Sequence, residues 1–61
     1  MSLRIETKEY GPLQGDIMTM EELDSIAKAR YDTVRFLGVF TVDGHRYGAF
    51  ILQNRHVFVL L

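Results

Sequence analysis

Hydrophobic and polar residues alternate along residues 3–10, which predicts a strand with one buried face. Leu3 and Ile5 point to one side of this strand, and the residues between and after them carry charges on the other side. A strand with a charged outer row is typical of the edge of a sheet. A glycine and the only proline of the chain follow, so residues 11–18 (GPLQGDIM) are predicted to form a loop.

The spacing of apolar residues becomes helical after Thr19. Thr19 and Glu22 form the sequence signature of a capping box. Acidic residues fill the following turn and basic residues lie near residue 30, which suits the helix dipole. We therefore predict a helix over about residues 20–31, and its apolar face consists of Met20, Leu23, Ile26, Ala27 and Tyr31.

Three further strands are predicted in the second half of the chain. Asp43-Gly44 is a strong signal for a two-residue hairpin, and Asn54-Arg55 is interpreted as a second turn because asparagine tolerates positive φ. Mid-strand glycines at positions 38 and 48 indicate a bulge or tight coiling. The predicted strands are 33–42, 45–52 and 56–61.

These elements predict a single α+β domain over residues 1–61, in the order β-α-β-β-β. The helix is expected to pack on a strongly curved antiparallel sheet of three to four strands. The pattern leaves open whether strand 3–10 pairs with strand 33–42 or with strand 56–61.

Pairing the strands across the two predicted turns makes both faces of the sheet apolar. One face collects Val34, Phe36, Phe40, Val42, Tyr47, Ile51, Phe58 and Leu60. One short helix covers only one face, and a monomeric antiparallel sheet usually has one polar face. Either the sheet curls into a small barrel, or the second face packs on another chain, most simply its own copy. The predicted oligomer interface is this second face, which consists of Leu37, Val39, Phe50, Leu52, Val57, Val59 and Leu61.

Composition supports the expectation of a partner subunit. The chain has 61 residues, of which 48% are hydrophobic, and contains no cysteine. A domain of this size is marginally stable and is usually stabilised by disulfides, a metal or another subunit. The absence of cysteine excludes disulfides, and two histidines are too few for a structural zinc site. We therefore expect a homodimer or a higher homo-oligomer, with a monomer or an obligate complex with a different protein as the alternative.

The sequence also bears on compartment and on nucleic-acid binding. A secretory leader and a membrane-length apolar run are both missing, which favours a cytoplasmic protein without a membrane partner. The net charge of −1 argues against non-specific nucleic-acid binding. The charge is uneven, however, because residues 34–61 carry a net +2 from Arg35, Arg46 and Arg55 against one aspartate. An alternative function is therefore a dimeric sheet that binds nucleic acid through these arginines.

Candidate catalytic groups are sparse. His45 and His56 fall at distant ends of the predicted hairpin, too far apart to share a metal or a proton. The acidic residues of the first helical turn are explained by capping, and we identify no nucleophile with a nearby base and no phosphate-binding loop. The sequence therefore predicts no enzyme activity, no cofactor and no metal. It predicts a small interaction or regulatory protein whose candidate partner-binding residues are Glu21, Glu22, Asp24, Arg35 and Arg46.

Overall fold

A computed structural model describes residues 2–30 and 33–61 of the chain. It confirms the α+β class and the packing of one helix on a curled sheet. The sheet has five strands rather than three to four, in the order β1-β2-β5-β4-β3, and it is mixed because β2 and β5 run parallel. In chain order the elements are β1 (Ser2–Thr7), β2 (Gly11–Met18), α1 (Met20–Arg30), β3 (Arg35–Val42), β4 (His45–Leu52) and β5 (Arg55–Leu60).

The prediction of a loop over residues 11–18 was wrong, because these residues form β2. β2 pairs with β1 in an antiparallel hairpin, so β1 pairs with neither of the two strands considered for it. Pro12 pairs with β1 on one side only, because the parallel pairing with β5 begins at Gly15. The other side of β2 is therefore an edge at Pro12, where a proline is tolerated. Leu13 and Ile17 supply the inward-facing side chains that the glycines and the proline obscured in the sequence.

Both later hairpins turn through residues with positive φ. Asp43 and Gly44 do so as predicted, with φ of 51° and 80°. The second turn uses Gln53 and Asn54, at 55° and 61°, rather than Asn54 and Arg55. The pairing of β4 with β5 therefore shifts by two residues from the predicted register. A shift of two preserves the face of every side chain, so the predicted faces of β4 and β5 are retained.

A bulge between Phe36 and Gly38 reverses the faces of the first three residues of β3, Arg35 to Leu37, relative to the predicted register. The predicted register holds from Gly38 to Val42, but Phe36 pairs with Phe50 rather than with Ile51. As a result Leu37 packs in the inner core, and Phe36 shares the opposite face with Phe50. The glycine indicated that a bulge was near but not which side chains it would redirect.

The inner face of the sheet forms one of two hydrophobic cores. All five strands contribute to it, and α1 does not. Phe58, on a central strand, is nevertheless 0% exposed. Since no helix covers this face, the edge strands must curl over it, although in the described part of the chain β1 and β3 do not pair and the sheet is not closed into a barrel. The buried residues of this inner core are Ile5, Leu13, Ala49 and Phe58.

The outer face is divided into three regions. Over β1 and β2 it is polar and exposed, as at Arg4 and Gln14. Over β5 and the end of β4 it is covered by α1, whose Leu23 is 1% exposed. Over the first part of β3 and the middle of β4 it is apolar and only partly covered, whereas the end of β3 and the start of β4 carry the exposed Thr41 and Arg46. The buried residues of the outer core are Leu23, Leu52, Val57 and Val59.

The predicted capping box is present at the start of α1. The Glu22 backbone N–H donates to Thr19 Oγ1 at 3.1 Å, and the Thr19 N–H donates to Glu22 Oε1 at 3.4 Å. Of the predicted apolar helix face, Met20 is half exposed, and Tyr31 lies outside the described residues. The capping box fixes where α1 begins and so aims Leu23 at the outer core.

Replacing the capping threonine tests how much this interaction contributes. Thr19→Ala is expected to lower the free energy of unfolding by about 1 kcal/mol, because it leaves an N-terminal N–H of α1 without its side-chain acceptor. Urea unfolding followed by circular dichroism measures the change. Ser25→Ala, an exposed substitution in the same helix, serves as the control and should change the midpoint little, since alanine is a good helix former.

Candidate interaction surface

An exposed apolar surface lies on the outer face beyond the reach of α1. We call Phe36, Val39, Phe50 and Leu61 the outer patch. The rings of Phe36 and Phe50 lie 5.2 Å apart between centroids, with their planes tilted by 49°. Phe36, Val39 and Leu61 are 57%, 50% and 67% exposed. In a single chain, at least half of the surface of each of these three residues is therefore in contact with water.

Gly48 forms the floor of the outer patch. It is buried and pairs with Val39 on one side and with Val59 on the other. A Cβ placed on Gly48 would lie 3.1 Å from a ring carbon of Phe50 and 3.7 Å from Leu61 Cδ2. Because Gly48 has no side chain, Phe50 and Leu61 can approach each other above its backbone.

The two edges of the sheet differ in chemistry. β1 carries an ion pair between Arg4 Nε and Glu6 Oε1 at 2.9 Å, and such charges protect an edge from pairing with another chain. β3 has no charged residue between Phe36 and Val42. Within the described part of the chain, only β4 hydrogen-bonds to β3 as a sheet neighbour. The outer patch therefore adjoins an uncharged, unpaired edge.

The seven residues of the predicted oligomer interface fall into three groups in the structure. Leu52, Val57 and Val59 are buried beneath α1, so a partner chain cannot reach them in this conformation. Leu37 lies on the inner face because of the bulge. Val39, Phe50 and Leu61 belong to the outer patch and remain accessible. Phe36 joins them, although the predicted register had assigned it to the other face.

A groove of about 350 Å³ separates the end of α1 from the β4–β5 turn. Much of its lining is apolar and consists of Met18, Ile26, Ala29, Leu52 and Val57. Arg30 and Arg55 also line it, and the Arg55 guanidinium is 3.4 Å from the carboxylate of Asp16. The groove offers apolar burial, and its lining contains no carboxyl or imidazole group that could serve in acid–base chemistry.

The three arginines of the nucleic-acid alternative are not brought together. Arg35 pairs with Ile51, whose face is opposite to that of Arg46 and Arg55. Arg46 and Arg55 share the outer face but lie near opposite ends of β4, roughly 20 Å apart at about 3.3 Å per residue. Within one chain they form no continuous basic stripe.

The remaining polar candidates are also dispersed. His56 pairs with Ile51, six residues beyond His45, so the two imidazoles are roughly 20 Å apart along the strand. The predicted acidic partner-binding residues are exposed; Glu22 caps the helix, and Asp24 lies 3.9 Å from Lys28. Among residues 2–30 and 33–61 no polar or charged side chain is buried, and no three acidic or histidine residues converge as a metal site would need.

Comparison with known proteins adds no assignment to this surface. In the part of the chain that the structure describes, no helix is long and apolar enough to cross a membrane. No family of known proteins, no curated protein and no solved structure matches the chain significantly.

Proposed function

We propose that this chain is a small non-enzymatic interaction protein that acts as a homo-oligomer, most simply a dimer, through the outer patch. The observation that supports this proposal is the combined exposure of Phe36, Val39 and Leu61 beside an uncharged sheet edge. Single exposed apolar residues are common on monomers, whereas contiguous groups of them often mark an interface. When the oligomer dissociates, the outer patch becomes accessible and could bind a different protein that the chain regulates.

The size of the patch indicates a weak association. β3 is eight residues long, about 26 Å at roughly 3.3 Å per residue. Such a strand with four adjoining side chains is small beside the roughly 800 Å² per partner that a standard interface buries. We therefore expect a dissociation constant in the micromolar range or weaker, which suits a protein that exchanges partners.

Nucleic-acid binding is the second candidate, and the arrangement of charges favours it less. Arg35 lies on one face of the sheet, and Arg46 and Arg55 lie on the other, with Arg55 already paired with Asp16. These three arginines therefore supply few simultaneous phosphate contacts. Titration with a single-stranded oligonucleotide at low salt separates the two functions. Salt-sensitive binding that is lost in Arg46→Gln would favour the nucleic-acid function over the proposed one.

The oligomer is tested by measuring mass as a function of protein concentration. Sedimentation equilibrium of the natural sequence should show a mass that rises from 7.1 kDa toward twice that value. Val39→Lys should raise the dissociation constant by at least about tenfold, because the dimer would have to bury an ammonium group. Gln14→Lys makes the same change of net charge on the exposed outer face of β2 and should leave the mass profile unchanged. A mass of one chain at every concentration would overturn the proposal.

A further inference from the structure

We propose that two copies of this chain join through their β3 edges, in antiparallel pairing about a two-fold axis, to form one continuous ten-stranded sheet. This inference rests on the proposed function and specifies its geometry. The partner is a second copy of the chain, and the bond between them is main-chain hydrogen bonding supplemented by contact between adjacent outer patches. The alternative geometry is face-to-face stacking of the outer patches with both β3 edges left in water.

The contrast between the two sheet edges supports edge pairing. The hydrogen-bonding groups along the free side of an edge strand are a template for another strand. On β1 the charged pair of Arg4 and Glu6 disfavours the addition of another strand. On β3 the bulge at residues 36–38 disturbs only the first part of the strand. The run from Val39 to Val42 is regular and uncharged, so it is the place where a second strand can add.

Charge complementarity selects a second copy as the occupant. In an antiparallel pair centred near Val39, the start of each β3 lies opposite the end of the other. Because the bulge shifts the register by one residue, Arg35 of one chain then lies opposite Val42 of its partner, next to Asp43 in the turn, and the symmetry repeats this arrangement at the other end. Both side chains are exposed in the single chain, and neither forms an ion pair with another described residue. The edge is therefore complementary to itself.

The faces of the sheet also agree across such a junction. Antiparallel pairing of β3 with its copy continues the inner face of one sheet into the inner face of the other. The two outer patches then lie side by side across the axis, and Val39 of each chain is close to it. Side chains of the outer patch that flank the axis thus contact their counterparts across the junction and lose part of their exposure to water.

Hydrogen exchange distinguishes the edge-paired dimer from the stacked one. Alternate backbone amides of β3 bond to β4, and the others point to the free edge. If β3 pairs with its copy, the edge-pointing amides between Gly38 and Val42 should become protected as protein concentration is raised through the dissociation constant. The amides of β1, the other edge, provide the internal control and should show no such dependence.

Charge reversal tests the symmetry of the contact. R35E should raise the dissociation constant about tenfold, because it brings two carboxylates together at each end of the junction. Adding D43N to R35E removes that repulsion, and Asn-Gly suits the same hairpin turn. The double variant should therefore recover much of the lost affinity. K8E, which changes net charge equally but lies in the β1–β2 turn, is the control and should not respond to D43N.

The outcomes of these two experiments distinguish edge pairing, another kind of dimer and a monomer. Concentration-dependent protection of β3 together with recovery by D43N supports edge pairing. A dimer whose β3 amides stay unprotected overturns this inference and leaves the proposed homo-oligomer intact. A protein that stays monomeric at about 1 mM, where even a weak dimer would be populated, overturns both.

Discussion

Gly15→Ala is expected to unfold the protein. A Cβ on this residue would collide with the backbone carbonyl oxygen of His56 and would lie 2.6 Å from the carbonyl carbon. Neither atom belongs to a flexible side chain, so the clash can be relieved only by separating β2 from β5. That parallel pairing spans just Gly15 to Met18 on β2, and it joins the N-terminal hairpin to the rest of the sheet.

The magnitude of this effect is large relative to the total stability. Opening the junction should cost about 3 kcal/mol or more, whereas a chain of this length has a free energy of unfolding of about 3–9 kcal/mol at typical values per residue. Circular dichroism and one-dimensional proton NMR of the variant should show a largely disordered chain. Gly44→Asn is the matched control, since asparagine tolerates the φ of 80° there and a Cβ would meet no atom within 4 Å. A Gly15→Ala variant with native stability would contradict the described pairing of β2 with β5.

Phe58→Ala is the second substitution with a severe expected effect. Phe58 is fully buried in the inner core, where side chains from all five strands meet around it. Removing its ring loses the transfer free energy of the buried carbons and leaves a cavity in the curled sheet, at a cost of about 3–5 kcal/mol. The edge strands would have to move inward to fill that cavity, which their pairing resists.

Denaturant unfolding at dilute concentration measures this loss without a contribution from association. Tyr10→Ala removes an aromatic ring that is 49% exposed in the β1–β2 turn, and it should cost much less. If the two variants had equal stability, the inner core would not be the centre of the fold. The same pair of variants also tests whether the face without a helix is closed by curvature of the sheet.

The sequence predicted the parts of the fold that depend on local chemistry. The helix start at Thr19 and the Asp43-Gly44 turn were correct because capping and type I′ turns are specified by adjacent residues. β2 was missed because Gly11, Pro12 and Gly15 resemble a loop, and only the distant backbone of β5 explains why Gly15 is a glycine. A close approach between two residues as distant in sequence as Gly15 and His56 leaves no local signal.

The candidate interaction surface was predicted only in part for a similar reason. Alternation correctly placed Val39 and Phe50 together on one face of the β3–β4 hairpin. It assigned Phe36 to the other face, because one bulge residue inverts the alternation beyond it. Mid-strand Gly38, with φ of 140°, was the signal for that bulge, and the inverted faces of Phe36 and Leu37 follow from it.

The strand order also has a consequence for how the chain reaches its native state. β5 lies at the middle of the sheet although it is the last of the five strands to be synthesised. Until residues 55–60 leave the ribosome, the β1–β2 and β3–β4 hairpins are not joined, and both cores lack the side chains that β5 supplies. Isolated hairpins are marginal in water. Folding should therefore occur in one cooperative step once β5 is available. The uncharged β3 edge is exposed throughout that interval, so aggregation of nascent chains should begin there.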